Sequence, residues 1–137
     1  MKGIAIGLSH NSKEILKRLK KTEFIDEIYI ASSTCDEAIE KNVVPLIKPK
    51  EVFKEKWKDL NLIIFIGSIG ASIRLINSFL TSKDQDPGVI VLDYKCSKVV
   101  PLIGLHQSNI QNIFSFLACF ITKVDQFCIL PDLVHPH

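Results

Sequence analysis

Leu62-Ile63-Ile64-Phe65-Ile66-Gly67-Ser68-Ile69-Gly70-Ala71-Ser72-Ile73-Arg74 decides the reading of this chain. Five unbroken apolar residues have no polar alternation, so they suit a strand buried on both faces, as in a parallel sheet covered by helices. A glycine turn follows, then a helix carrying Arg74, and then Asp86-Pro87-Gly88 leads into a second apolar run beginning at Val89. Strand, helix and strand in this order make a crossover between parallel neighbours. The turn from Gly67 to Gly70 also leaves backbone N–H groups free at a helix start, where the macrodipole favours negative charge. It reads either as an anion site or as a tight turn alone.

The alternation extends outward in both directions. Strands are expected at Gly3 to Leu8, Glu27 to Ala31, Val43 to Leu46, Leu62 to Ile66, Val89 to Asp93, Lys98 to Val100 and Phe127 to Leu130. Helices are expected at Ser12 to Lys21, Cys35 to Lys41 and Lys50 to Lys58, with one after Gly67 and one after Ser108 or Asn109, either of which suits a cap. In the first of these helices Asn11 is the expected cap, Glu14 reaches back, and Ile15, Leu16 and Leu19 form the buried face. The pattern predicts one α/β domain spanning residues 1–137: a three-layer, doubly wound Rossmann- or flavodoxin-like sheet, mainly parallel, with a short hairpin strand near Lys98.

Two helices carry wide apolar arcs. On the helix after Gly67, Ile69, Ile73, Ile76 and Leu80 are the expected core stripe, with Leu75 and Phe79 beside it. On the last helix Ile110, Ile113, Phe114, Leu117 and Ile121 are expected to face the sheet, and Phe116 and Phe120 widen the arc. Faces this broad are covered by something further, either another element or flanking loops of the same chain or a partner; a homodimer is expected, with Phe79, Phe116 or Phe120 in its interface.

Composition narrows the function classes. Lys plus Arg number 17 against 15 for Asp plus Glu, a formal charge of +2 that gives no footing for nucleic acid. No apolar run approaches the roughly 18 residues of a membrane span, and no secretory signal region precedes the first strand, so a cytoplasmic protein without membrane contact is expected. The four cysteines, Cys35, Cys96, Cys119 and Cys128, lack metal-ligand spacing, so no metal site is expected, and Cys119 and Cys128 read as small buried hydrophobes in a helix and a strand. His135 and His137 lie at the terminus. Gly7-Leu8-Ser9-His10 is not a dinucleotide fingerprint and no Walker loop occurs, which disfavours NAD and ATP; no cofactor is expected.

Ligands of open parallel sheets collect beyond the carboxyl ends of the strands, and there the chain delivers Ser9, His10 and Asn11, then Gly67, Ser68, Ile69 and Gly70. Histidine exchanges protons near neutral pH, so His10 is a candidate acid or base, or else a plain polar loop residue. Ser68 lacks the nucleophile elbow of a serine hydrolase and reads as a cap or an anion contact. Arg74 suits a carboxylate or a surface ion pair. A second constellation, Val99 to Asn109, brings His106 just before a helix start, beside Ser108 and Asn109. If Lys98 to Val100 pairs antiparallel across the whole sheet, His106 lies at the edge opposite Gly67; if Pro101 ends a short edge strand, the chain crosses back. Both placements stand.

Phe65 to Ile76, Asp86-Pro87-Gly88-Val89-Ile90-Val91-Leu92-Asp93 and Val99 to Asn109 resemble, in order and spacing, the amino-terminal region of the CbiG family, cobalt-precorrin-5A hydrolase. The Asp-Pro strand and the His loop are the most specific parts. The resemblance implies a role in cobalamin (vitamin B12) biosynthesis, where that family opens the δ-lactone of a cobalt-containing precorrin and releases a two-carbon aldehyde. The implied partner is a carboxylate-rich tetrapyrrole, with His106 as base or carboxylate contact, the Gly67 to Gly70 amides and Arg74 as the anion cradle, and Ser9, His10, Ser108 and Asn109 as further ligand contacts. Two departures stand out. The family's Ser-Gly-His-x-Gly-Gly-Ala-Asn becomes Gly104-Leu105-His106-Gln107-Ser108-Asn109, two residues shorter between His and Asn and without the glycine pair. The family also carries a carboxyl-terminal domain, whose place a second copy or a separate protein would take. The expected alternatives are therefore a hydrolase or its corrinoid-binding half, and a non-catalytic scaffold.

Overall fold

The long apolar runs become the centre of a six-stranded sheet. In the computed structural model, which describes residues 1–32, 44–93, 95 and 97–124 with side chains to residue 119, the strand order is β3-β2-β1-β4-β5-β6. The strands are β1 (Gly3–Gly7), β2 (Glu27–Ala31), β3 (Leu46–Ile47), β4 (Leu62–Ile66), β5 (Gly88–Leu92) and β6 (Val99–Ile103). The first five pair in parallel, and β6 closes one side antiparallel to β5. The expected helix over 35–41 and strand over 127–130 lie outside the described residues.

Every residue of β1, β4 and β5 is buried, because helices cover both faces. On one face α1 (Lys13–Lys20) and α4 (Ser108–Val124) set Leu16, Leu19, Ile110 and Leu117 against Ala5, Leu62, Ile64 and Ile66. On the other, α2 (Pro49–Lys56) and α3 (Ile69–Ile76) set Phe53 and Ile76 against Ile4, Ile6, Ile63 and Phe65. The alternation of β4 side chains between the two clusters is the period of two of a pleated strand. Burying each large side chain contributes about 1.5–3 kcal/mol, which is why these central strands fix the three-layer, doubly wound architecture.

Three local expectations are corrected. Asn11 does not cap α1: it lies in a 3-10 turn, His10–Ser12, and the buried Ser12 instead donates its N–H and hydroxyl to the Ser9 carbonyl at 3.2 and 2.6 Å. The core stripe of α3 is rotated from the expected one. Ile69, Ile73 and Leu80 are 41%, 46% and 42% exposed, whereas Ser72 and Ile76 are buried and Leu75 and Phe79 pack against the second cluster. The Ser68 cap, which accepts from Ala71 N–H at 3.2 Å, and the Ser72 hydroxyl, which donates to the Ser68 carbonyl at 2.8 Å, hold this phase. Hydropathy counts Ser72 as polar and so misses that its hydroxyl is satisfied locally and can be buried.

Phe79, one of the rings named for the expected interface, is partly covered by its own chain. It is half-buried on its own chain, stacked on Trp57 at 5.6 Å and edge-on to Phe53 at 5.5 Å. Phe116 stays 47% exposed, with its ring edge-on to Phe24, and the side chain of Phe120 lies outside the described residues.

The hairpin strand is longer than expected. Leu92 pairs with Val99 and Val89 with Ile103, so β6 runs the full height of β5 and does not stop at Val100. Pro101 is accommodated because β6 is an edge, and the register shifts between Val89 and Ile90, leaving Leu102 as the extra residue of a bulge.

Candidate functional site

That register divides the site residues between two edges. After β1 the chain turns through Leu8, whose N–H donates to the Ile66 carbonyl at 2.9 Å, and reaches Ser9 and the exposed His10. After β4, Gly67 donates to the Leu92 carbonyl at 2.8 Å with φ at +151°, a conformation that favours glycine, and a β-carbon there would stand 2.8 Å from that of Leu8. Ser68, Ile69 and Gly70 are exposed, and nothing lies within 4 Å of where a Gly70 β-carbon would be. The first-turn amides of Ile69 and Gly70 have no intrahelical acceptor. Arg74 is exposed, and among the described residues it forms no ion pair. At the same carboxyl edge Asp93 accepts from the Ser97 hydroxyl at 2.5 Å and the Lys95 N–H at 3.1 Å, and these bonds hold its carboxyl below the ordinary value of 3.8 against a smaller opposing effect of burial.

His106 is elsewhere. Running antiparallel, β6 delivers it beside the start of β5, and five residues of strand at about 3.3 Å each place the two edges roughly 16 Å apart. Of the two placements left open by the sequence, the antiparallel one is observed: Ser9, His10, Gly67, Ser68, Ile69, Gly70 and Arg74 share one edge, and His106, Ser108 and Asn109 the other.

At the amino edge the chain builds a cleft of about 340 Å³ between the loop before β5 and the loop after β6, lined by Ser82, Lys83, Asp86, Pro87, Gly104 and His106 among others. Its two walls are held by different devices. Gly104, with φ at +90°, lies so close to Gly88 that a β-carbon would stand 2.6 Å from the Gly88 α-carbon, and Gly88 in turn admits the Ile110 side chain of α4. The opposite wall hangs on Asp86. This buried carboxylate accepts from the Thr81 N–H at 2.9 Å, the Thr81 hydroxyl at 2.9 Å and the Trp57 indole N–H at 3.2 Å. It thereby folds residues 81–86 into a closed loop and pins that loop to the turn after α2.

His106 and Lys83 are both exposed and both line this cleft, and Lys83 forms no ion pair among the described residues. Two cationic or protonatable side chains with Ser82 beside them can hold a carboxylate, or polarise an acyl oxygen and direct a water. Among the described residues no group of three or more His, Cys, Asp and Glu is placed to hold a metal ion, and no helix is long and apolar enough to cross a membrane. Sequence reasoning missed Lys83 and the anchoring role of Asp86. The Asp-Pro-Gly signal was visible, but its indole partner lies 29 residues upstream with no local pattern to mark it.

Comparison with known proteins bears on these segments. The profile of the family described as Cobalamin synthesis G N-terminal matches residues 51–121. No curated protein matches the chain. Among solved structures it is similar to a cobalamin biosynthesis protein G homolog from Sulfolobus solfataricus, with a TM-score of 0.60 and 22% identity, covering 89% of this chain and 34% of that one. The chain spans about a third of that protein's length, and the likeness is one of fold.

Proposed function

Because this chain belongs to the cobalamin synthesis G N-terminal family, we propose that it binds a carboxylate-rich tetrapyrrole of cobalamin biosynthesis at the amino-edge cleft, as the corrinoid-binding half of a CbiG-like cobalt-precorrin-5A hydrolase. One observation carries the reading: the two segments most specific to the family resemblance line the same cleft, through Asp86 and Pro87 of one and Gly104 and His106 of the other, although 16 residues and two strands separate them. Lys83 and His106 then take one acidic side chain of the macrocycle. The Gly67 to Gly70 turn and Arg74, at the far edge, serve a different contact or none.

Lactone opening at the same cleft is the second reading, favoured by Lys83 and His106 lining one cleft: in this reading the imidazole directs a water at the acyl carbon and the ammonium stabilises the oxyanion. Incubation with cobalt-precorrin-5A separates the two. Binding without release of acetaldehyde supports the binding half. Release of acetaldehyde that falls by about 10²-fold or more in His106→Ala supports the hydrolase. A chain that neither binds nor turns over the compound contradicts both.

A further inference from the structure

One wall of the amino-edge cleft is built as a separate piece. Residues 80–85 form an unbroken exposed run, and burial resumes only at Asp86 and Pro87. The hydrogen bonds of this segment nevertheless close on themselves. The Asp86 carboxylate accepts the Thr81 N–H on both oxygens, at 2.9 and 3.1 Å, and the Thr81 hydroxyl at 2.9 Å. Inside that ring the Ser82 carbonyl accepts from the Gln85 and Asp86 N–H groups at 3.1 and 2.9 Å. Among the described residues one hydrogen bond leaves the ring for the rest of the fold, from the Trp57 indole N–H to Asp86 at 3.2 Å. The wall bearing His106 has no such freedom, because Gly104 lies backbone to backbone on Gly88.

A segment that buries little apolar surface and is tied outward by a single bond opens locally at a lower cost than the strands beside it. We propose that residues 81–86 are a preassembled strap, latched by the Trp57 indole, that opens and closes the amino-edge cleft as one piece. The strap carries Lys83 and the fixed wall carries His106, so its swing sets the separation of the two side chains assigned above to an acidic group. Trp57 is then a positioning residue: it does not line this cleft, and it acts on Lys83 only through Asp86. A latch of one hydrogen bond to a carboxylate biases the closed state on the order of tenfold. The device belongs to the wall of the cleft and its test uses the ligand-free chain, so its failure leaves the choice of ligand untouched.

Hydrogen exchange followed by NMR on the full chain tests it. Trp57 is the only tryptophan, so its indole resonance is unambiguous. In the wild type the indole hydrogen is expected to be at least about tenfold less protected than the amides of Val89 to Val91 in β5, while the Thr81 and Asp86 amides, bonded within the strap, outlast it. In Trp57→Phe, whose intact fold is read from unchanged β5 amides, the Thr81 and Asp86 amides should keep their protection within about twofold, and the amide shifts of residues 103–106 should move. An indole hydrogen as protected as β5 would show that the segment opens only with the core. Thr81 and Asp86 amides that lose about tenfold or more of their protection in the variant would show that it is not preassembled. Unmoved shifts at 103–106 would disconnect the latch from the cleft. Each of these three results overturns the strap.

Discussion

Gly104 lies against Gly88, with room between their backbones for no side chain. The contact brings the loop bearing His106 onto the start of β5, and a positive φ of +90° holds it there. Gly104→Ala is expected to lose about 2 kcal/mol or more of stability, because an L side chain is strained at this φ and its β-carbon meets backbone that cannot give way. Urea denaturation measures it. A loss below 0.5 kcal/mol, on the order of an ordinary surface change, would show that the loop closes some other way.

Asp86 is expected to behave as an anchor. Asp86→Ala strands the Thr81 and Trp57 donors and should cost about 2–3 kcal/mol, whereas Trp57→Phe keeps the ring stack and should cost about 1 kcal/mol. In a double-mutant cycle the two losses should be less than additive, since they share one bond. Strict additivity would separate the indole from the carboxylate.

The phase of α3 is checked by two isoleucines three residues apart. Ile76→Ala should cost about 2–4 kcal/mol as a core truncation, and Ile73→Ala, with its side chain 46% exposed, well under 1 kcal/mol. Equal losses would restore the stripe expected from hydropathy.

Asp93 gives the pH dependence. Its carboxyl is held below 3.8 in the folded chain, so the stabilisation is fully present above the unfolded pKa and disappears as pH falls through the lower, folded value. Carboxyl carbon shifts followed by NMR should titrate below 3.8 in the wild type and move upward in Ser97→Ala, which removes the principal hydrogen bond. No movement in the variant would assign the depression to another cause.

The central layer was legible because it is written in local sequence. Leu62 to Ile66 and Glu27 to Ala31 match the observed strands residue for residue, and the helices beginning near Lys13 and Lys50 follow from their own periodicity. What was not legible depends on pairing between distant residues. Whether β6 stops at Pro101 or runs to Ile103 decides which edge receives His106, and that is settled by a bulge and by Gly104 packing on Gly88, neither of which has a signature in a single segment. Lys83 was invisible for the same reason: it comes to line the cleft only when Asp86 folds its loop toward the loop that carries His106.

The central claim is that the ligand is received at the amino edge and not at the Gly67 turn. Mapping amide chemical-shift changes while cobyrinic acid is added to the wild-type chain tests it most directly. The account predicts that the changes concentrate in residues 81–88 and 103–109, with His106 among the largest. Changes confined to residues 67–74 and 9–11 would contradict it and return the site to the carboxyl edge.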